Sequence, residues 1–236
     1  MRRRTASMSA RRNRVAHARI EQQSHLGRCA VADSPATSPE MLSLLGLDSF
    51  ISVRWLVARN NSTPPATLAL LAADPSLKVR LAVASNRHTP SEILGTLADD
   101  KPIIQAAVAD NPNTPPDALM RLAQPQTPFQ ARVAVAKNPN APTVALNALL
   151  DIVDMTADSL VNHANARREV WEALIRTNNH WVHERLVWLP YLPADLLYET
   201  TIAGPSKDIR LLATNRLLGR PDIPDHMKAA VAIAAD

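Results

Sequence analysis

The chain has 236 residues, enough for one or two globular domains or for one array of repeats. Apolar residues make up 46%, which suffices for a hydrophobic core, whereas the single cysteine excludes an internal disulfide. Residues 1–28 contain eight arginines and one glutamate. Because the net charge of the whole chain is only +4, the remaining residues are mildly acidic. No apolar run reaches the roughly 18 residues of a membrane span, and one cysteine is typical of a reducing, cytoplasmic location.

The first predicted segment is a basic arm, residues 1–22, which we expect to be disordered. It lacks the apolar stretch of a secretory signal, and its Ser, Thr and Arg content leaves an organellar transit peptide as a minor alternative. The arm is either a solvated tail or a contact for nucleic acid, because clustered arginines gain free energy from counterion release. Its candidate polyanion contacts are Arg2, Arg3, Arg4, Arg11, Arg12 and Arg14.

A two-helix unit is predicted within residues 79–98. Apolar residues at helical spacing indicate a first helix that should end at Asn86, a residue that tolerates a left-handed turn. Thr89 is predicted to cap the second helix, with Pro90 at its first position. Each helix spans about two turns, too short to be stable alone in water. The unit must therefore bury its faces against neighbouring copies.

Copies of this unit recur about every 26 residues, which is the signature of a repeat array. The valine column holds Val31, Val57, Val83, Val108 and Val135. Two leucine columns hold Leu42, Leu68, Leu94, Leu119 and Leu146, and Leu45, Leu71, Leu97, Leu122 and Leu149. The turn columns hold Asn60, Asn86, Asn111 and Asn138, and Thr37, Thr63, Thr89 and Thr114.

The repeat pattern loosens after residue 150. Short helix pairs still recur, and terminal repeats are expected to be atypical because one side faces water. We therefore predict regular helical repeats over residues 23–150. Residues 151–236 are predicted to continue the same solenoid as degenerate repeats and a C-terminal cap.

Three segments, VRLAVASNRHTPSEILGTLADD, QAAVADNPNTPPDALMRLAQ and RVAVAKNPNAPTVALNALL, resemble the leucine-rich repeat variant family. The resemblance implies an all-α fold, a right-handed superhelical α-solenoid in which α-helices alternate with 3₁₀-helices. It implies architecture and says little about activity. Some members bind an iron–sulfur cluster through several cysteines, but Cys29 is alone here and such a cluster needs about four thiolates. No cofactor is therefore predicted.

An arginine column runs through the repeats, at the first-helix position of Arg80. Its aligned positions are Arg28, Arg54, Arg80, Gln105, Arg132, Ser159, Arg185 and Arg210. One interpretation is internal pairing, in which Asp48 or Asp74 pairs with the arginine six residues later; partly buried charges need such partners. The other interpretation is a basic surface for phosphate or acidic peptide. On that second interpretation, the candidate contacts are Arg54, Arg80, Arg132, Arg185 and Arg210.

No catalytic or metal-binding residue is assigned. Five glycines are too few for several phosphate-binding loops, and no serine lies in a nucleophile elbow. His180 and His183, with His163 upstream, could share a helical face, but the His–Glu spacing of metalloproteases is absent. The aromatic residues of the second half are expected to fill the core, with an exposed interaction patch as the alternative. They are Trp171, Trp181, Trp188, Tyr191 and Tyr198.

The sequence therefore predicts a non-enzymatic helical-repeat scaffold that mediates protein–protein interaction. The alternative is a solenoid, similar to helical-repeat DNA-repair proteins, that binds nucleic acid through the basic arm and the arginine column. Whether those arginines are free or paired separates the two hypotheses. The sequence does not identify the protein partner.

Overall fold

The computed structural model describes residues 22–221, 223–224 and 227–229 of the chain. Residues 1–21 of the predicted basic arm and most of the predicted closing helix lie outside the described residues. The described part holds sixteen helices and no strand, which confirms the all-α prediction. The chain divides into two compact units, residues 1–118 and 119–236.

The helices of the regular part alternate between first and second helices of a repeat. They are α1 His25–Asp33, α2 Pro39–Leu45, α3 Ile51–Arg59, α4 Pro65–Ala72, α5 Leu77–Ser85, α6 Ser91–Leu97, α7 Pro102–Asp110, α8 Pro116–Leu122, α9 Phe129–Lys137 and α10 Thr143–Asn147. A 3₁₀ helix, Leu150–Ile152, follows. The remaining helices are α11 Val153–Asn162, α12 Arg168–Ile175, α13 His180–Trp188, α14 Ala194–Ala203 and α15 Lys207–Leu218.

Helices of the same kind lie side by side in each unit. In the first unit the first helices α1, α3, α5 and α7 pack in succession, and the second helices α4 and α6 pack beside them. In the second unit α9, α11, α13 and α15 form one layer and α10, α12 and α14 the other. This two-layer stacking of short helix pairs is the arrangement of a helical-repeat array.

The predicted columns form the core between the two layers. Val57, Val83 and Val108 have no exposed surface, and the leucines of both columns are at most 3% exposed. Burial of one such side chain contributes about 1.5–3 kcal/mol. The repeat of about 26 residues and the register of its apolar residues are therefore confirmed for this part of the chain.

The second helices are α-helices, so the predicted alternation with 3₁₀-helices is wrong for them. The N–H of Leu68 donates to the carbonyl of Pro64 at 3.0 Å, and that of Leu94 to Pro90 at 3.2 Å. Both bonds reach four residues back, as in an α-helix. The two leucines of each second helix are three residues apart, a spacing that fits both helix types and could not separate them.

The turn between the helices differs from the prediction in two details. Asn86 ends α5 in an extended conformation, with φ −75° and ψ 120°, so it is not left-handed. The N-cap position of α6 is taken by Pro90, and the Thr89 hydroxyl instead donates to the carbonyl of Val83 at 2.6 Å. The last carbonyls of a helix lack partners within it, so Thr89 satisfies one of them.

Candidate interaction surface

Asparagine side chains tie each repeat of the first unit to the one before it. The Nδ2 of Asn86 donates to the carbonyls of Ala58 and Asn60, at 2.8 and 3.2 Å, and its Oδ1 accepts from the N–H of His88 at 2.9 Å. Asn60 and Asn111 make the equivalent bonds. The side-chain amide of Asn86 thus gives the buried Ala58 carbonyl a donor. It also adds a second donor to the Asn60 carbonyl, which accepts from the N–H of Thr63 at 3.1 Å as well.

Arginines of the column form a second link between repeats. The Nε of Arg54 donates to Asp74 at 2.6 Å and its Nη2 at 3.1 Å, while its Nη1 donates to the carbonyl of Asp48 at 2.8 Å. Arg80 binds the carboxylate of Asp100 and the carbonyl of Asp74 in the same way. The carboxylates of Asp74 and Asp100 thus each accept from the arginine twenty residues earlier in the chain. The predicted pairing of a carboxylate with the arginine six residues later is therefore wrong.

These pairs change the protonation behaviour of their carboxylates. Burial opposes ionisation of Asp74, yet the hydrogen bonds from Arg54 and from the N–H of Ser76 hold its pKa below the usual value. The hydrogen bond from Arg80 likewise outweighs burial and lowers the pKa of Asp100. A lowered acid pKa contributes stability that is present at neutral pH and is lost as pH falls through the native pKa.

The second unit places the other candidate arginines differently. Arg132 is buried and forms an ion pair with Asp151, whereas the pair of Arg185 with Asp158, at 2.8 Å, is half or more exposed on both sides. The Nη1 of Arg210 donates to the carbonyl of Gly204 at 2.8 Å. The candidate arginines of the arm, from Arg2 to Arg14, lie outside the described residues.

The alignment of the arginine column slips by two residues in two repeats. In α13 the position belongs to His183, which has no exposed surface and whose Nε2 lies 2.9 Å from the carbonyl of Thr177, six residues back. The same six-residue span joins Arg80 to Asp74. In α11 the position falls on Ala157, six residues before the C-cap His163, and not on Ser159.

Histidine also replaces asparagine after α11, whereas Asn138, one repeat earlier in the second unit, still accepts from the N–H of Asn140 at 2.9 Å. The Nε2 of His163 lies 2.7 Å from the carbonyl of Asn138, and its Nδ1 accepts from the N–H of Asn165 at 3.1 Å. Nε2 must carry the proton, because only a protonated nitrogen can donate to a carbonyl. An imidazole with one donor and one acceptor thus reproduces the two roles of Asn86. This structural role accounts for His163 without a metal.

Three aromatic residues that we expected in the core are exposed in the second unit. Trp181 and Trp188 are 65% and 56% exposed, and they are seven residues apart, so they share one face of α13. Tyr191 is also exposed and lies 6.0 Å from the Trp171 ring, between centroids. The Arg216 guanidinium lies 5.6 Å from the Trp188 ring.

Exposed apolar residues on neighbouring first helices extend this surface. Met155 on α11 and Leu211 on α15 are more than half exposed, and both helices pack beside α13. We call this surface, formed by Met155, Trp181, Arg185, Trp188 and Leu211, the aromatic face. Buried residues of α13, including Val182 and Leu186, support it from below.

Comparison with known proteins agrees with the repeat architecture. The sequence profile of the leucine rich repeat variant family matches residues 52–76 and 77–101. The matched segments contain most of α3, all of α4 to α6, and the residues up to 101. The match confirms the predicted resemblance. The fold is that of a helical-repeat protein, and residues 52–101 match the leucine rich repeat variant profile as two consecutive repeats.

Beyond that family, no curated protein and no solved structure matches this chain. Within the described residues, no helix has the length and apolar character needed to cross a bilayer. Helical-repeat architectures commonly provide extended surfaces for binding partners. The fold and the family are therefore consistent with a scaffold for interactions.

Proposed function

We propose that this protein is a non-catalytic scaffold that binds another protein through the aromatic face of its second unit. The observation that carries the proposal is the pair Trp181 and Trp188, two large aromatic side chains exposed on one face of α13. Tryptophan and arginine are the residue types most enriched at the energetic centres of protein interfaces. The proposal includes a cytoplasmic location, which the single cysteine supports.

The residues around the two tryptophans also suit an interface. Met155 adds a flexible apolar side chain, which adapts to different partners. Arg185 and Arg216 are held by Asp158 and by the Trp188 ring, so they lose less side-chain entropy when a partner binds. The face therefore combines apolar area with positioned charged groups.

Affinity capture with the full chain tests this proposal. The immobilised wild type is compared, in extract of the source cells, with the Trp181→Ser/Trp188→Ser variant. The control is Val144→Ser/Ile202→Ser, which removes two apolar side chains of similar exposure from the second helices of the same unit. We expect the tryptophan variant to lose captured proteins that the control retains. Equal capture by all three chains would contradict the proposal.

A second candidate function is nucleic-acid binding through the basic arm. Its support is the excess of seven positive charges within residues 1–28, since clustered arginines bind phosphates and release counterions. Arg54, Arg80 and Arg132 each bind a carboxylate of this chain, so this function would depend mainly on the arm.

Binding to a labelled DNA duplex over a series of salt concentrations tests the second function. The wild type is compared with a full chain in which Arg2, Arg3, Arg4, Arg11, Arg12 and Arg14 are changed to Gln. We expect wild-type affinity to fall steeply with salt, and the variant to bind weakly with a flatter slope. Equal affinities and slopes would exclude the arm as the contact.

A further inference from the structure

Trp55 holds two cations on the outward side of the first unit. The ring is half-buried on α3, and both the Arg59 guanidinium and the Lys78 ammonium lie 4.5 Å from its centroid. A cation over an aromatic face is attracted by the ring's quadrupole. Since both charges lie near one ring, they also repel each other, and an anion that contacts both would relieve that repulsion.

These two cations differ from the arginines of the column. Arg54, one residue before Trp55, is fixed by the carboxylate of Asp74. Among the described residues, no carboxylate lies within ion-pair distance of Arg59 or Lys78. Both side chains belong to exposed residues. Their charge is therefore positioned by the ring and not neutralised by a carboxylate of the described chain.

Repeat packing does not require a tryptophan at this position. The equivalent residues of the other repeats are smaller, namely Cys29, Leu81, Ala106 and Val133. Two exposed apolar residues lie beside this site: Ile51 is one helical turn before Trp55 on α3, and Leu77 holds the equivalent position, 26 residues later, on the adjacent helix α5. The surface therefore presents two cations on an aromatic platform beside apolar side chains.

We propose that this surface, which we call the Trp55 face, binds an acidic segment of another protein. Carboxylates of the segment contact Arg59 and Lys78, and an apolar side chain packs against Ile51 or Leu77. Charge complementarity favours an acidic occupant. Two cations among apolar groups suit a short peptide better than a nucleic acid, whose affinity depends on many phosphate contacts. The Trp55 face lies in the first unit, so this proposal stands independently of the aromatic face.

Fluorescence anisotropy with a labelled peptide tests the proposal. The probe is a synthetic peptide in which glutamates flank two leucines, titrated with the full chain. Arg59→Gln/Lys78→Gln is compared with Arg87→Gln/Lys101→Gln, which removes the same charge from two other exposed residues of the first unit. We expect the first variant to bind at least about tenfold more weakly, about 1.4 kcal/mol, and the control to stay within about twofold of wild type.

Several results would overturn the proposal. One is equal weakening in both variants, which would indicate a non-specific effect of net charge, and another is the absence of saturable peptide binding. A third is an oligothymidylate that binds more tightly than the peptide and depends on the same two residues, which would assign the Trp55 face to nucleic acid. Equal thermal midpoints of the two variants, measured by circular dichroism, exclude unfolding as the cause of weaker binding.

Discussion

The first unit and the later repeats of the second unit solve the same structural problem with different side chains. In the first unit Asn60, Asn86 and Asn111 cross to the carbonyls of the preceding turn. In the second unit the equivalent carbonyl bond is made by His163, and the inward arginine is replaced by His183. The comparison shows that each position needs a buried donor aimed at a carbonyl, which more than one residue type supplies.

The largest expected effect is the loss of a core leucine, which should be similar in both units. Leu94→Ala in the first unit and Leu174→Ala in the second should each lower the free energy of unfolding by about 2–5 kcal/mol, since both side chains are fully buried. Urea denaturation measures the change. A loss below about 0.5 kcal/mol, the range of exposed positions, would mean that the residue is not in the core.

The turn positions should show a smaller effect and test the equivalence of asparagine and histidine. Asn86→Ala removes the donor of the buried Ala58 carbonyl and one of the two donors of the Asn60 carbonyl, so we expect a loss of about 1–3 kcal/mol in the free energy of unfolding. His163→Asn should change it by less than about 1 kcal/mol, whereas His163→Ala should cost more than that. If His163→Asn and His163→Ala destabilise equally, the two turns do not share one mechanism.

The presence of His183 at the position of the column arginine should make the stability of the second unit sensitive to mild acid. Burial lowers the pKa of His183 and outweighs the hydrogen bond to Thr177, which acts in the opposite direction. As pH falls below about 6.5, His183 therefore becomes protonated in the unfolded chain before it does in the native chain. The free energy of unfolding should decrease as pH drops below that value.

His183→Gln provides the control for this pH dependence. Glutamine keeps a donor for the Thr177 carbonyl, as Gln105 does for Ala98 at 3.1 Å, and it does not titrate. Unfolding midpoints measured between pH 5 and pH 8 should fall less toward acid in the variant than in the wild type. Identical pH profiles would show that His183 is not the titrating group.

The sequence predicts well those features that depend on the repeat alone. The valine and leucine columns were correct because a residue that faces a neighbouring copy must be apolar at every repeat. The roles of Thr89 and Asn86 were predicted less well. Thr89 donates to the Val83 carbonyl six residues back, and Asn86 donates to carbonyls of the preceding repeat; local capping preferences do not reveal these partners.

The candidate surfaces were harder to predict than the fold. The alignment slipped at Ser159 and Arg185 because it followed the arginine of α13, whereas the buried position is held by His183 and, one repeat earlier, by Ala157. The pairing of Arg28 with Asp48, twenty residues apart, becomes visible only when two repeats are stacked. The exposure of Trp181 and Trp188 could not be read from composition, since tryptophan is usually buried.

A double-mutant cycle on the arginine column is the most direct test of the claim that ion pairs between an arginine and an aspartate join neighbouring repeats. Arg54 contacts the carboxylate of Asp74 but only the backbone carbonyl of Asp48. We expect a coupling energy of about 1–3 kcal/mol between Arg54→Met and Asp74→Asn, and a clearly smaller coupling between Arg54→Met and Asp48→Asn, whose carboxylate acts on Arg54 only through charge. No coupling to Asp74, or a larger coupling to Asp48, would contradict this account of how the repeats are joined.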